Sequence, residues 1–148
     1  MSSLNVVKAD LSMVAALMQL SAQLGYERTT EEVSAQLEKI MSREDHVFLV
    51  ALRDENVCGW AHFHQVDLLT SPSYVEVAGL VVDQACRRQG VGQALMQAGE
   101  AWAMKQNLKV VRVRSNIKRE DAHAFYERAG YTCIKEQKTF LKNLPAMP

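Results

Sequence analysis

One transition in this chain limits its possible folds more than any other. Tyr74-Val75-Glu76-Val77-Ala78-Gly79-Leu80-Val81-Val82-Asp83 is an apolar, β-branched run that reads as a buried strand. It leads into Arg87-Arg88-Gln89-Gly90-Val91-Gly92, after which Val91, Ala94, Leu95, Ala98 and Trp102 recur at helical spacing. A strand thus passes through a basic, glycine-bearing turn directly into a helix. Glycines let backbone approach a ligand closely, and the free N–H groups opening a helix form an anion site with its dipole. The pattern suits a ligand that carries phosphates. Taken alone, the same turn also serves as a tight connection with solvating arginines.

The rest of the chain narrows the choice. With 148 residues, 48% hydrophobic and 23% charged, it has the size and composition of a single globular domain, here 1–148. Lysine plus arginine and aspartate plus glutamate both number 17, which gives no basic excess for a nucleic-acid partner. The opening Met-Ser-Ser-Leu-Asn lacks a charged lead into an apolar run, and no stretch approaches a membrane span, so a cytoplasmic location is expected. Cys58, Cys86 and Cys133 are widely separated and not at metal-ligand spacing.

Elements follow from periodicity and punctuation. A helix is predicted from Asp10, as N-cap, to Leu24, with Gly25 ending it. Thr29-Thr30-Glu31-Glu32 supplies a cap and early carboxylates for a second helix to about Met41. Val47–Arg53 and Val57–Val66 form a hairpin around Asp54-Glu55-Asn56, and Asp67–Ser73, with Pro72, reads as a loop. After the glycine turn and its helix come a strand from Lys109 to about Ser115 and a helix from about Arg119 to Ala129, with Gly130 behind it. Two closing strands are predicted near Tyr131–Glu136 and Lys138–Lys142. The whole is an α/β fold with a mixed sheet, an inner parallel strand pair and helices on both faces.

The order strand, Arg-x-x-Gly-x-Gly, helix, strand, then Asn116 and Ala122-His123-Ala124-Phe125-Tyr126-Glu127-Arg128-Ala129-Gly130-Tyr131 resembles the GCN5-related N-acetyltransferase (GNAT) superfamily. The resemblance is close from Tyr74 to Leu144 and extends to the first half only in the order of elements. It implies the acyl-CoA N-acyltransferase fold: a mixed, mostly antiparallel twisted sheet whose central parallel strands splay apart to admit the cofactor's pantetheine arm.

Acetyl-CoA, as co-substrate, is the cofactor the resemblance implies; no metal is expected. Backbone N–H groups of Gln89, Gly90, Val91 and Gly92 would bind the pyrophosphate, with Arg87 and Arg88 adding countercharge. Leu80, Val81 and Val82 match the segment whose backbone pairs with the pantetheine amides, and an N–H near Val82 would polarise the thioester carbonyl. Tyr126 matches the tyrosine that protonates the departing thiolate in many members; it also fits as a helix-rim aromatic. Asn116 matches an asparagine near the cofactor arm, at a longer spacing from Tyr126 than the commonest pattern.

Glu76 sits within an apolar strand, eleven residues before Arg87, where the resemblance implies the glutamate of the histone-acetylating branch, and this makes it the candidate base; a strand-end carboxylate in solvent is the alternative, with water as base. His62 and His64 alternate on one strand and so share a sheet face. With Tyr26, Asp67 and Glu76 they would line an acceptor pocket, or else be surface histidines. His123 lies three residues before Tyr126 on one helix and can share its face.

The expected activity is direct acetyl transfer to a primary amine in a ternary complex, the acceptor being a small molecule. Protein lysine or N-terminal acetylation, or a non-catalytic acyl-CoA-binding regulatory module, are the alternatives. Homodimer formation stays open. A P-loop is excluded because Gly-Lys-Ser/Thr is absent, and Gly90-x-Gly92 lacks the third glycine of a dinucleotide fingerprint.

Overall fold

The computed structural model describes residues 3–147. They fall into two compact units, one ending at Arg114 and one beginning at Ser115.

The first unit is built on a five-stranded sheet in the order β1 (Leu4–Lys8), β2 (His46–Arg53), β3 (Asn56–Leu68), β4 (Ser71–Val82) and β5 (Val111–Val113). The first four strands are antiparallel; β4 and β5 run parallel. Helices α1 (Val14–Ala22) and α2 (Thr30–Met41) pack on the sheet, with Leu17 and Leu37 clustering on Val50. Asp10 caps a 3-10 turn at Leu11–Met13 that leads into α1, so the first predicted helix is a short turn plus nine residues. Thr29 and Glu32 form a reciprocal capping box, which is why α2 begins where the sequence places it.

Helix α3 (Val91–Lys105) packs against β2, β3 and β4. Its fit is close. The Phe63 ring, fully buried, lies where a Cβ on Gly99 would be, 2.1 Å from Cζ. Phe63, Val75, Leu95 and Val91 are each at most 1% exposed. Removing side chains of this size from water stabilises by about 1.5–3 kcal/mol apiece.

Two irregularities shape β4. Phe63 faces Val77 and His62 faces Gly79, so Ala78 is an extra residue, a bulge. On its other edge β4 pairs with β5 only through Val75, Glu76 and Val77. From the bulge onward, Ala78–Val82 has no strand beside it on that edge among the described residues.

Two expectations need correction, and one strand went unforeseen. Asp67–Ser73 is not a loop: β3 runs to Leu68, β4 starts at Ser71, and only Leu69 and Thr70 turn between them. β1 went unforeseen, because a five-residue run becomes a strand only through its pairing with β2. The predicted closing strands near Tyr131–Glu136 and Lys138–Lys142 do not form: residues 131–147 contain no strand. Their alternation is strand-like, but a strand needs a paired edge. Within the second unit the regular element is α4 (Glu120–Arg128), ended by Gly130 at φ +97°. Ile134, Phe140 and Leu141 stand 71%, 88% and 83% exposed.

Candidate active site

The turn after β4 is held from three sides. Asp83 caps a 3-10 turn at Gln84–Cys86 by accepting from the Ala85 N–H at 3.1 Å. Gln23, just past α1, donates to Asp83 Oδ1 at 3.3 Å and accepts from the Gln84 N–H at 3.2 Å. Arg53 of β2 donates to the Gln89 carbonyl at 3.5 Å. Between these anchors Arg88 and Gly90 both take left-handed backbone, at φ +63° and +81°. For glycine this is free; for arginine it costs about 1 kcal/mol.

Gly90 is the N-cap of α3, and no side chain caps the helix. A Cβ built at Gly90 meets nothing within 4 Å. Arg87, Arg88 and Gln89 are exposed around it. The start of a fifteen-residue helix is therefore left open, with its N–H groups and two arginines presented together. Leu80, Val81 and Val82 lie just upstream, on the stretch of β4 whose edge is unpaired beside the bulge.

Across the sheet, register brings a row of polar side chains together. His46 of β2 lies opposite His64 of β3, His64 opposite Glu76 of β4, and Glu76 opposite Arg112 of β5. Glu76 Oε1 is 3.2 Å from Arg114 Nε and its Oε2 is 3.6 Å from His64 Nε2. The His46 and His64 rings stack at 4.9 Å and 16°, while His46 Nδ1 and His62 Nε2 share a hydrogen bond of 2.9 Å. Arg112 lies over the Tyr74 ring at 4.8 Å. Burial first, then its imidazole neighbours, pushes His62 down to about 4. Burial also lowers His46, with His64 adding to the effect. The His46–His62 pair is thus uncharged at neutral pH.

So Glu76, His62 and His64 do meet on one sheet face. Tyr26 and Asp67 are engaged differently: Tyr26 is 64% exposed, and Asp67 accepts from Gln65 and Ser73 beside the β3–β4 turn. His46, Arg112 and Arg114 were not singled out from the sequence. Arg112 and Arg114 alternate with Val111 and Val113, a period-two signal that places both on one face. His46 falls one residue before the predicted strand, and only the cross-strand register reveals its partners. Although three imidazoles gather here, no group of three or more His, Cys, Asp or Glu among the described residues could hold a metal ion. The His46–His62 bond ties up a ring nitrogen of each.

Asn116, His123 and Tyr126 belong to the second unit. The Asn116 side chain accepts from the Lys118 N–H at 3.0 Å, and its carbonyl accepts from His123 Nε2 at 2.8 Å. Because a carbonyl only accepts, His123 Nε2 carries the hydrogen of that bond. Tyr126 on α4 meets Phe125 and Tyr131 edge-on, at 5.2 and 6.0 Å between centroids. Burial raises its phenol, with Arg119 opposing, so the hydroxyl stays protonated at neutral pH.

The model of the Acetyltransferase (GNAT) family matches residues 13–131, most of the chain. The chain belongs to the GNAT acetyltransferase family. Among curated GNAT relatives, the aminoalkylphosphonate N-acetyltransferase of Salmonella typhimurium is 34% identical over 85 residues, covering 57% of this chain and 55% of that protein. The uncharacterized N-acetyltransferase YhdJ of Bacillus subtilis is 39% identical over 57 residues, 38% of this chain and 40% of the relative. The chain spans about half the length of the first relative and less of the second. A solved structure of the aminoglycoside N-acetyltransferase AAC(6')-Iy in complex with CoA superposes with a TM-score of 0.88 at 16% identity, covering 97% of each chain. At that identity the likeness shows the shared GNAT fold.

Proposed function

We propose that the chain is an acetyl-CoA-dependent N-acetyltransferase that acetylates the primary amine of a small molecule by direct transfer. The observation that carries the reading is on β4. Its edge is unpaired from Ala78 to Val82 and runs straight into an uncapped helix start flanked by two arginines. Unpaired strand backbone suits the amides of a pantetheine arm, and an open helix N-terminus suits a pyrophosphate. Both halves of CoA thus find their chemistry in one continuous stretch.

In this reading the N–H groups of Gln89 to Gly92 and the guanidinium groups of Arg87 and Arg88 hold the phosphates. Backbone of Leu80, Val81 and Val82 orients the arm, and an N–H near Val82 stabilises the oxyanion as the amine adds to the thioester carbonyl. Glu76 removes the proton from the ammonium, which must be neutral to attack. Tyr126, a phenol that carries its proton at neutral pH, returns a proton to the departing thiolate. Asn116 is engaged in its own turn, so its part is to fix the loop before α4. A small-molecule acceptor draws support from the relatives' names, an aminoalkylphosphonate enzyme and an aminoglycoside enzyme.

The test is thiol release from acetyl-CoA across a panel of aminoalkylphosphonates, aminoglycosides, polyamines, amino acids and lysine peptides. Release matched by acetylated product with a small amine is expected. Turnover confined to peptides would make the acceptor a protein. No turnover with any amine, despite CoA binding, would make the chain a regulatory module.

A further inference from the structure

The row of side chains beside Glu76 sets a proton-counting problem. His64 Nδ1 lies 3.3 Å from the Gln65 carbonyl, which only accepts, so Nδ1 carries the hydrogen. In the neutral ring the lone pair is then on Nε2, and Nε2 faces Glu76 Oε2 at 3.6 Å. Two acceptors are therefore turned toward each other, and a proton delivered to either resolves the arrangement. Resting on the reading of Glu76 as base, we propose that His64 is the second station for the amine's proton, receiving it from Glu76.

The step balances. The ammonium gives one proton to the Glu76 carboxylate, leaving a neutral amine and a carboxylic acid. The acid passes that proton to His64 Nε2, leaving a carboxylate and an imidazolium. Passing it on restores the ion pair between Glu76 Oε1 and Arg114 Nε. The imidazolium then stands against a carboxylate, and its side chain, 25% exposed, releases the proton to water.

The surroundings favour His64 over its neighbours. His46 and His62 are bonded to each other and kept uncharged, so they place a neutral surface against the His64 ring. Asp45 lies beyond His46, 3.9 Å from its Nε2, with Arg43 paired to it. Arg112, opposite Glu76, is turned over the Tyr74 ring. Of the three imidazoles, His64 is the one in reach of the Glu76 carboxylate. It acts through Glu76 and so is a positioning and proton-accepting residue.

The experiment compares the pH profile of kcat/KM for wild type, Glu76→Gln, His64→Gln, His64→Asn and the Glu76→Gln/His64→Gln double variant, using the amine that gives turnover. His64→Asn keeps a donor for the Gln65 carbonyl, and His64→Gln places an amide near Nε2; neither can accept a proton. Both should lower turnover by roughly ten- to a hundred-fold and move the acid limb to higher pH, with CoA affinity unchanged. The double variant should be no slower than Glu76→Gln within about two-fold, since both changes interrupt one transfer. If Glu76→Gln shifts the profile and the His64 variants do not, the relay is wrong and Glu76 stands alone. Full activity in His64→Asn with loss in His64→Gln would overturn it too, by making a steric effect the cause. An unchanged profile in Glu76→Gln would remove the base and the relay together.

Discussion

Tyr126 offers a test that turns on one oxygen atom. Tyr126→Phe keeps the ring against Phe125 and Tyr131 and deletes only the hydroxyl. If that hydroxyl protonates the thiolate, turnover at saturating amine should fall roughly ten- to a thousand-fold while CoA affinity barely changes. Turnover within about two-fold of wild type would assign the proton to another donor. His62 allows a separate, thermodynamic test. Its folded pKa, about 4, lies below the ordinary 6.5, so the unfolded chain binds more protons between those values. Stability must therefore fall as pH drops from about 6.5 toward 4. The full shift corresponds to ~3 kcal/mol, and partial solvent contact reduces this to about 1–2 kcal/mol. Melting temperatures across that range should show the slope, and His62→Gln should flatten it. An equal slope in the variant would place the titration elsewhere.

At the scale of elements, packing of α3 on the sheet is the sharpest expectation. Gly99→Ala puts a methyl 2.1 Å from the Phe63 ring, against a residue with 0% exposure. Overpacking of this kind costs about 1–3 kcal/mol, and chemical denaturation should register it with an unchanged m-value. A neutral result would mean that Phe63 has room to move. The same scale shows what a sequence can and cannot reveal. The β4–turn–α3 unit was legible because strand, glycine turn and helix are adjacent and each carries its own signal. α2 was legible because Thr29 and Glu32 form a cap that is local in sequence. What escaped depends on partners distant in sequence. β1 exists through its register with β2, and Pro72 reads as a breaker yet lies within β4. Residues 131–142 have strand-like alternation but no paired edge in the described residues. Glu76 was visible as a carboxylate in an apolar strand, whereas its contacts with His64 and Arg114 come from strand register and a parallel neighbour. In particular, the extra residue Ala78 shifts which β4 side chains face His62 and Phe63; Gly79 beside it is the one local mark of a bulge, and which residue is extra comes only from the cross-strand register.

For the molecule as a whole, the claim that matters is that one strand edge and the helix start it leads to form a CoA site. Linkage makes this visible in stability: CoA at a hundred times its Kd should raise folding stability by ~2.7 kcal/mol, a shift of several degrees in Tm. Calorimetric titration of the protein with CoA tests the claim most directly, with ATP and NAD as controls. The site built from Leu80 to Gly92 predicts low-micromolar binding or tighter, about −8 kcal/mol, for CoA and acetyl-CoA. No heat with CoA, alongside binding of ATP or NAD, would contradict it.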